Sequence, residues 1–167
     1  LDLSTASYLS KRCSKLSHIR FRGSMAVSAI IKLESKELKQ LNGDCSRDLT
    51  DAALSMLVAK HGQLERVQLG PDCERITSDA IQVVALCCPK LKSLRLMGVR
   101  DIDGDAIGAL ARHCSDLMEI GFLDCAVVDE NSLSLATNLR FLSLAGLRTK
   151  TVHQKIFIQF PQKGIFI

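Results

Sequence analysis

The chain has 167 residues, of which 47% are hydrophobic and 4% are aromatic, and it contains no tryptophan. This composition excludes a disordered polypeptide and predicts one domain with an aliphatic core. The net charge of +4 is too small to predict nucleic-acid binding, and its excess lies within residues 1–70, which hold 11 basic and 7 acidic residues. No apolar run is long enough for a membrane helix and no signal peptide precedes the first residues, so we expect a cytoplasmic or nuclear protein that does not bind membranes.

A pattern of leucines recurs along the chain, most clearly as Cys13-x-x-Leu16-x-x-Ile19-x-Phe21, Cys88-Pro89-x-Leu91-x-x-Leu94-x-Leu96 and Cys114-x-x-Leu117-x-x-Ile120-x-Phe122. Its lead leucines are spaced 22, 26, 27, 26 and 22 residues apart, at Leu16, Leu38, Leu64, Leu91, Leu117 and Leu139. Self-similarity at this period is typical of a leucine-rich repeat array.

The predicted elements follow this repeat in chain order. Leu1-x-Leu3 predicts the strand of a truncated first unit, with residues 6–12 as its helix, and a less regular helix is predicted within residues 25–33. Later helices are predicted to begin within the segments 48–51, 76–79 and 101–105, because Thr or Asp side chains there can accept from unpaired helix N–H groups, and a shorter helical turn is predicted after Val128-Asp129. Residues 149–167 show neither a repeat nor a helix cap.

The strand and helix of each unit cannot bury their apolar faces alone, so neighbouring units must stack. We therefore predict an α/β fold, a right-handed leucine-rich repeat solenoid with parallel strands on the concave face and helices on the convex face. About six repeats, including the truncated N-terminal unit, would occupy residues 1–148, and residues 149–167 would form an irregular basic and apolar C-terminal tail.

Alternation along each strand predicts which side chains enter the core. Leu94, Leu96, Ile120, Phe122, Leu142 and Leu144 are expected to be buried, whereas Arg95 and Gly121 are expected to face the concave surface. The same alternation places many other polar and apolar residues on that surface: His18, Arg20, Arg22, Gln40, Asn42, Asp44, Arg66, Gln68, Gly70, Ser93, Met97, Glu119, Leu123, Phe141, Ser143 and Ala145.

One position, three residues before each lead leucine, is occupied by Cys13, Ser35, His61, Cys88, Cys114 and Ala136. Small and mostly apolar residues there predict a tight buried position at the end of each helix, which a free cysteine fills as a small hydrophobe. We call these six residues the cysteine column and expect its thiols to be reduced.

Motifs for catalysis or metal binding are weak. The run Asp101-Ile102-Asp103-Gly104-Asp105 resembles a calcium loop only superficially, because its glycine is early and Arg112 stands where the bidentate glutamate belongs. Cys87-Cys88 has no second pair at zinc spacing, and no phosphate loop or nucleophile motif occurs. We expect no enzymatic activity, no metal and no cofactor.

The predicted concave surface begins basic and ends apolar along the chain. Arginine forks bind carboxylates or phosphates and apolar anchors bury surface, so this face predicts a target protein or an acidic or phosphorylated peptide as partner. The alternative is that solvated arginines only keep the face soluble. The candidate partner-binding residues are His18, Arg20, Arg22, Arg66, Gln68, Arg95, Met97, Leu123 and Phe141.

The Cys-Pro-x-Leu-x-x-Leu-x-Leu motif of residues 88–96 and the Leu-Thr-Asp-x-x-Leu motif of residues 49–54 resemble the cysteine-containing leucine-rich repeats. Such arrays are similar to the substrate-recognition part of F-box proteins, including plant hormone receptors. The resemblance implies the substrate-binding part of an SCF-type E3 ubiquitin ligase subunit, acting in ubiquitin-dependent protein degradation. No F-box-like segment is found, so contact with the ligase scaffold would require an F-box outside this chain. The alternative is a non-ligase scaffold or an inhibitor-like regulatory repeat protein.

Overall fold

A computed structural model describes residues 3–22, 28–44, 47–99, 102–125, 130–145 and 165–166, although some side chains within these ranges are not described. In this part of the chain α1 covers Leu3–Arg12, α2 Asp51–Lys60, α3 Ser78–Cys87 and α4 Gly104–His113, and residues 28–30 form a further helical segment. A 3-10 helix covers Glu130–Leu135. The strands are β1 (His18–Arg22), β2 (Gln40–Asp44), β3 (Arg66–Leu69), β4 (Ser93–Met97), β5 (Glu119–Leu123), β6 (Phe141–Ala145) and β7 (Ile165–Phe166).

The strands form one parallel sheet in which the order of strands follows the order of the chain. From β1 to β6 each strand pairs with the next in the same register, so the first positions of these strands are aligned across the sheet. Ile165, the first residue of β7, pairs with Leu142, the second residue of β6. Helices α2, α3 and α4 pack side by side as a second layer. The prediction of an α/β repeat fold with parallel strands and alternating helices is thereby confirmed.

The helices begin where the sequence predicts. The side chains of Thr50, Thr77 and Asp103 accept hydrogen bonds from the backbone N–H groups of Ala53, Asp79 and Ala106, respectively, and so satisfy donors that the first helical turn leaves unpaired.

These capped ends are also joined to one another across the repeats. The carboxylate of Asp51 accepts from the backbone N–H and the hydroxyl of Thr77, at 2.8 and 2.6 Å. The hydroxyl of Ser78 accepts from the backbone N–H of Asp103 at 2.8 Å. Because the bonds cross from one repeat to the next, they fix how neighbouring helices are aligned.

The helices end at the cysteine column. His61, Cys88 and Cys114 are the residues that follow α2, α3 and α4, and all three are buried, as are Ser35 and Ala136. The Sγ of Cys114 contacts the carbonyl of Cys88 at 3.5 Å, which links one column residue to the next. Burial raises the pKa of Cys88 to about 12 and that of Cys114 to about 11. The predicted buried position is confirmed for five of the six column residues, whereas Cys13 is only half-buried. The six described cysteines are free thiols: Cys13, Cys73, Cys87, Cys88, Cys114 and Cys125.

The predicted core register is also confirmed. Leu94, Leu96, Ile120 and Phe122 are at most 1% exposed, and Leu142 is 7% exposed. Arg95, between the two leucines of β4, is exposed. The side chain of Leu144 lies outside the described residues.

One core position departs from the leucine pattern for a reason that the structure shows. Gly43 occupies the position that Leu69, Leu96 and Phe122 fill in later strands. A Cβ on Gly43 would lie 2.7 Å from Cζ of Phe21, whose ring comes from the neighbouring strand and is 5% exposed. The large ring of β1 therefore fills the space that the glycine of β2 leaves.

The two ends differ from the prediction in part. Leu3 begins helix α1 and is not in a strand, so the predicted strand at Leu1-x-Leu3 is wrong for Leu3, because a pattern of two leucines is too short to distinguish a strand from a helix turn. Within the irregular second unit, residues 28–30 are helical and Ile30 and Leu33 are buried, whereas residues 23–27 are not described. Of residues 149–167 only the two residues of β7 are described, and they pair with β6.

His61 makes fold stability depend on pH. Its Nδ1 donates to the carbonyl of Ser35 at 2.9 Å, and its Nε2 is buried with no hydrogen-bond partner among the described residues. Burial lowers the pKa of His61 below 6.5, and the charge of Lys60 acts in the same direction, although the bond to Ser35 opposes both. The folded state therefore binds this proton less readily than the unfolded state does. The stability from the neutral ring is complete above pH 6.5 and is lost as the pH falls through the folded-state pKa.

We expect the free energy of unfolding in urea to be smaller at pH 5 than at pH 7.5, and His61→Cys, which installs the residue of two other repeats, to reduce that difference. The ordinary pKa of Glu65 and Glu119 is 4.5 and is lowered further in the fold, so these carboxylates contribute little to the change within this range. A substitution at exposed His18 is the control. An unchanged pH difference in His61→Cys would contradict this assignment.

Candidate functional site

Among the described residues, no helix covers one face of the sheet, and we call it the open face. The first, third and fifth residues of each strand point to it, because the second and fourth residues enter the core. All nine predicted partner-binding residues lie on this face. His18, Arg20, Arg22, Arg66, Gln68, Arg95 and Phe141 are exposed, and Met97 and Leu123 are half-buried.

The open face begins at β1 with a paired arginine. The guanidinium of Arg20 contacts the carboxylate of Asp44, on β2, with Nη2–Oδ2 and Nε–Oδ2 distances of 2.6 and 2.8 Å. Because the Arg20 side chain is 74% exposed, water screens this pair and it adds little stability. The carboxylate of Asp44 nevertheless offsets the positive charge of Arg20, so Arg20 attracts an acidic partner less strongly.

A second paired arginine lies in the middle of the face, at Glu119 of β5. One carboxylate oxygen accepts from the guanidinium of Arg95, and the other accepts from the hydroxyl of Ser93 at 2.7 Å. Burial raises the pKa of Glu119, but the bonds from Ser93 and Arg95 and the charges of Arg95 and Arg66 outweigh it and hold the pKa below its ordinary value. Glu119 is therefore ionised near neutral pH and occupied by its own neighbours. Ser93, although on the open face, is buried beneath this contact.

Two of the four predicted arginines remain available. Within the described part of the chain, neither Arg22 nor Arg66 makes a hydrogen bond or a salt bridge, and both are exposed. Arg66 lies beside Gln68 on β3, whereas Arg22 is at the far end of β1. The unpaired positive charge of the face is thus concentrated at these two positions.

The last strands supply apolar surface. Met97 and Leu123 are adjacent in the β4–β5 register, and Phe141, at the start of β6, is 55% exposed. Between them Gly121 leaves a shallow depression, where a Cβ would lie 3.4 Å from Cγ of Arg95 and 3.9 Å from Cβ of Ser143. The aliphatic part of Arg95 crosses this depression to reach Glu119.

A second feature of the surface is a concentration of lysines at one edge of the sheet. Every lysine in the described ranges lies between the last turn of a helix and the start of the next strand, from Lys11 to Lys92. One group there forms a row across three repeats, in which Glu65 contacts Lys92 at 2.7 Å and Lys39 at 3.6 Å. Cations are favoured at helix C-termini, so Lys11 and Lys60, in the last turns of α1 and α2, are favourably placed.

The described residues contain no group of three or more His, Cys, Asp or Glu side chains that could hold a metal ion. Asp103, from the run that resembles a calcium loop, uses its carboxylate to cap α4. In the same part of the chain no helix is long and apolar enough to cross a bilayer.

Sequence reasoning placed the nine candidates on one face, but it did not separate paired from unpaired arginines. Asp44 and Glu119 decide which arginines are free, and neither was counted among the candidates. A signal for them exists in the sequence, because each carboxylate follows an arginine on the preceding strand, offset by two positions along the aligned register. Whether the nine residues bind a partner stays a prediction.

The parallel sheet, the stacked helices and the aligned repeats define this chain as an α/β repeat protein. It is similar to two proteins from Arabidopsis thaliana. It is 52% identical to Protein ARABIDILLO 1 over 146 residues, which are 87% of this chain and 16% of that protein. It is 50% identical to Protein ARABIDILLO 2 over 163 residues, which are 97% of this chain and 17% of that protein.

The chain is therefore homologous to a segment of these plant proteins and spans about one sixth of their length. No family model matches it.

Proposed function

We propose that this chain is a non-enzymatic protein-recognition array, the substrate-binding part of an F-box-type subunit of an SCF-type E3 ubiquitin ligase. It would hold a target protein for ubiquitin-dependent degradation in the cytoplasm or nucleus. The repeats are proposed to be of the cysteine-containing leucine-rich type in a right-handed solenoid, with the open face as the concave surface.

The observation that carries this proposal is the open face itself. Strand β3 presents exposed Gln68 and Arg66, which makes no hydrogen bond or salt bridge among the described residues, and β6 presents exposed Phe141 on the same face of the sheet. Arginine and aromatic side chains are enriched among the residues that contribute most of the binding energy at protein interfaces. The buried cysteine column and the capped helices support the proposed repeat subtype, because they are the two features by which the sequence resembles it.

The proposal predicts two separable results with the full-length protein that contains this chain. Affinity capture from plant extract should recover the ligase scaffold, because the F-box would be carried outside this chain. Deletion of residues 1–148 should leave scaffold recovery intact and should increase the abundance of the target, which would no longer be delivered for degradation. The measurement is quantitative mass spectrometry of captured proteins and of total protein, with and without a proteasome inhibitor.

Capture of no scaffold by the full-length protein would contradict the ligase assignment. It would favour the alternative, a scaffold or regulatory repeat protein, provided that binding to other proteins still depended on the open face.

A further inference from the structure

The first residues of β3, β4, β5 and β6 form one straight row across the open face. They are Arg66, Ser93, Glu119 and Phe141, and consecutive pairs are aligned in the sheet register. Because neighbouring strands lie about 4.8 Å apart, Arg66 and Phe141, three strands apart, are separated by about 14 Å. The row is perpendicular to the strands.

The side chains along this row change from cationic to anionic to apolar. Arg66 offers an exposed guanidinium that makes no hydrogen bond or salt bridge among the described residues, although its charge acts on the carboxylate of Glu119. Glu119 follows, with a negative charge already bonded by Ser93 and Arg95 and a side chain that is 23% exposed. Phe141 ends the row with an exposed ring. A complementary partner would therefore carry an acid, then a neutral or basic group, then an apolar group.

An extended peptide matches this row in both spacing and direction of side chains. Residues i and i+4 of an extended chain are about 13–14 Å apart, and residues i, i+2 and i+4 point to the same side. A helical partner rises only about 1.5 Å per residue and would need an acid and an apolar residue about ten positions apart. The extended form therefore needs only a short segment to reach both ends.

We propose that this row binds an extended peptide segment that crosses the strands, with an acidic side chain on Arg66 and an apolar side chain four residues away on Phe141. The residue midway between them faces Ser93 and Glu119 and is neutral or basic, because an acid there would be repelled by Glu119. The proposal rests on the proposed recognition function and specifies the class of segment that the open face selects.

The test uses the 167-residue chain and a set of synthetic peptides with blocked ends. The first peptide has a glutamate four residues before a leucine, with a lysine midway, and a second has the same order reversed. Two further peptides of identical composition place the acid and the leucine three and five residues apart. A phosphoserine version of the first peptide shows whether a phosphate serves better than a carboxylate. Affinity is measured by fluorescence anisotropy at low and high salt.

At least one order of the four-residue peptide should bind about tenfold more tightly than the peptides with other spacings, because an odd spacing turns one side chain away from the sheet. Binding should weaken as salt rises. Arg66→Glu should reduce affinity about tenfold or more, since it replaces a charge-assisted bond by repulsion. Arg112→Glu, an exposed arginine of α4 in the helix layer, is the matched control and should leave affinity unchanged.

Two serine substitutions at similarly exposed apolar residues test the apolar end of the row. Phe141→Ser should weaken binding, whereas Leu86→Ser on α3 should not, although Leu86 is 60% exposed and Phe141 is 55% exposed. Equal affinity for all spacings, absence of binding to both four-residue peptides, or equal losses in the matched pairs would overturn the proposal. If the peptide test failed but the full-length protein still captured the ligase scaffold, only the proposed binding of an extended peptide would be wrong. The proposed function would remain supported.

Discussion

Leu94→Ala is expected to lower the free energy of unfolding by about 2–5 kcal/mol, the range measured for leucine truncation in protein cores. Leu94 is 0% exposed and lies between Val67 of β3 and Ile120 of β5 in the aligned register. Core residues on both neighbouring strands would hold their positions, so the space left by the side chain would remain a cavity. The measurement is urea unfolding followed by circular dichroism.

Arg95→Ala is the control for this prediction, because Arg95 is the next residue of the same strand and is 55% exposed. Its bond to Glu119 is at the surface, so its loss should cost less than about 1 kcal/mol. A larger cost for Arg95→Ala than for Leu94→Ala would mean that β4 is shifted by one residue, which would exchange its core and open faces.

The fold was largely predictable because the repeat supplies the same information several times. Each copy of the repeat has a similar sequence spacing between its helix cap, its buried column residue and its two core side chains. In one repeat these are Asp103, Cys114, and the pair Ile120 and Phe122. Gly43 could not be predicted in this way, because its role depends on the ring of Phe21 on another strand, 22 residues earlier. The position of Leu3 was missed for a related reason, since an incomplete unit gives no repeat to compare with.

The open face was predictable as a surface but not as a charge distribution. Strand alternation shows that Arg20, Arg66 and Arg95 share one side of the sheet. It does not show that long side chains bend diagonally to the next strand, which pairs Arg20 with Asp44 and Arg95 with Glu119. Counting arginines therefore overestimates the charge available to a partner. Arg22 and Arg66 differ from the other two because neither makes a salt bridge among the described residues.

The lysines also show that the order of charged residues along the chain does not give their distribution on the folded surface. Along the chain, the positive excess lies in residues 1–70, which predicts a basic N-terminal half. In the fold, the described lysines, from Lys11 to Lys92, lie at one edge of the sheet, so they share one position within the repeat. A comparison of aligned repeats, and not of chain halves, would have revealed this edge.

The other large effect is expected for Gly70→Ala, at the point where β3 ends. Gly70 has φ +139°, which L-residues rarely adopt, and a Cβ there would lie 2.3 Å from Cβ of Met97 and 2.9 Å from its carbonyl oxygen. Backbone strain and the overlap together should cost roughly 2–5 kcal/mol of the free energy of unfolding. Because Met97 borders Leu123 on the open face, relief of the overlap would also displace this part of the candidate site.

Gly98→Ala is the matched control for Gly70→Ala, since Gly98 also has a positive φ, of 71°, but its Cβ would meet only the backbone nitrogen of Asp72, at an ordinary 3.6 Å. Strain alone should cost about 1–2 kcal/mol there. Urea unfolding of the two variants therefore separates overlap with Met97 from backbone strain. Equal losses would show that the contact with Met97 adds nothing. Met97→Ala should not recover the larger loss of Gly70→Ala, because the atoms that a Cβ would overlap are Cβ, Cα and the carbonyl oxygen of Met97, which alanine retains.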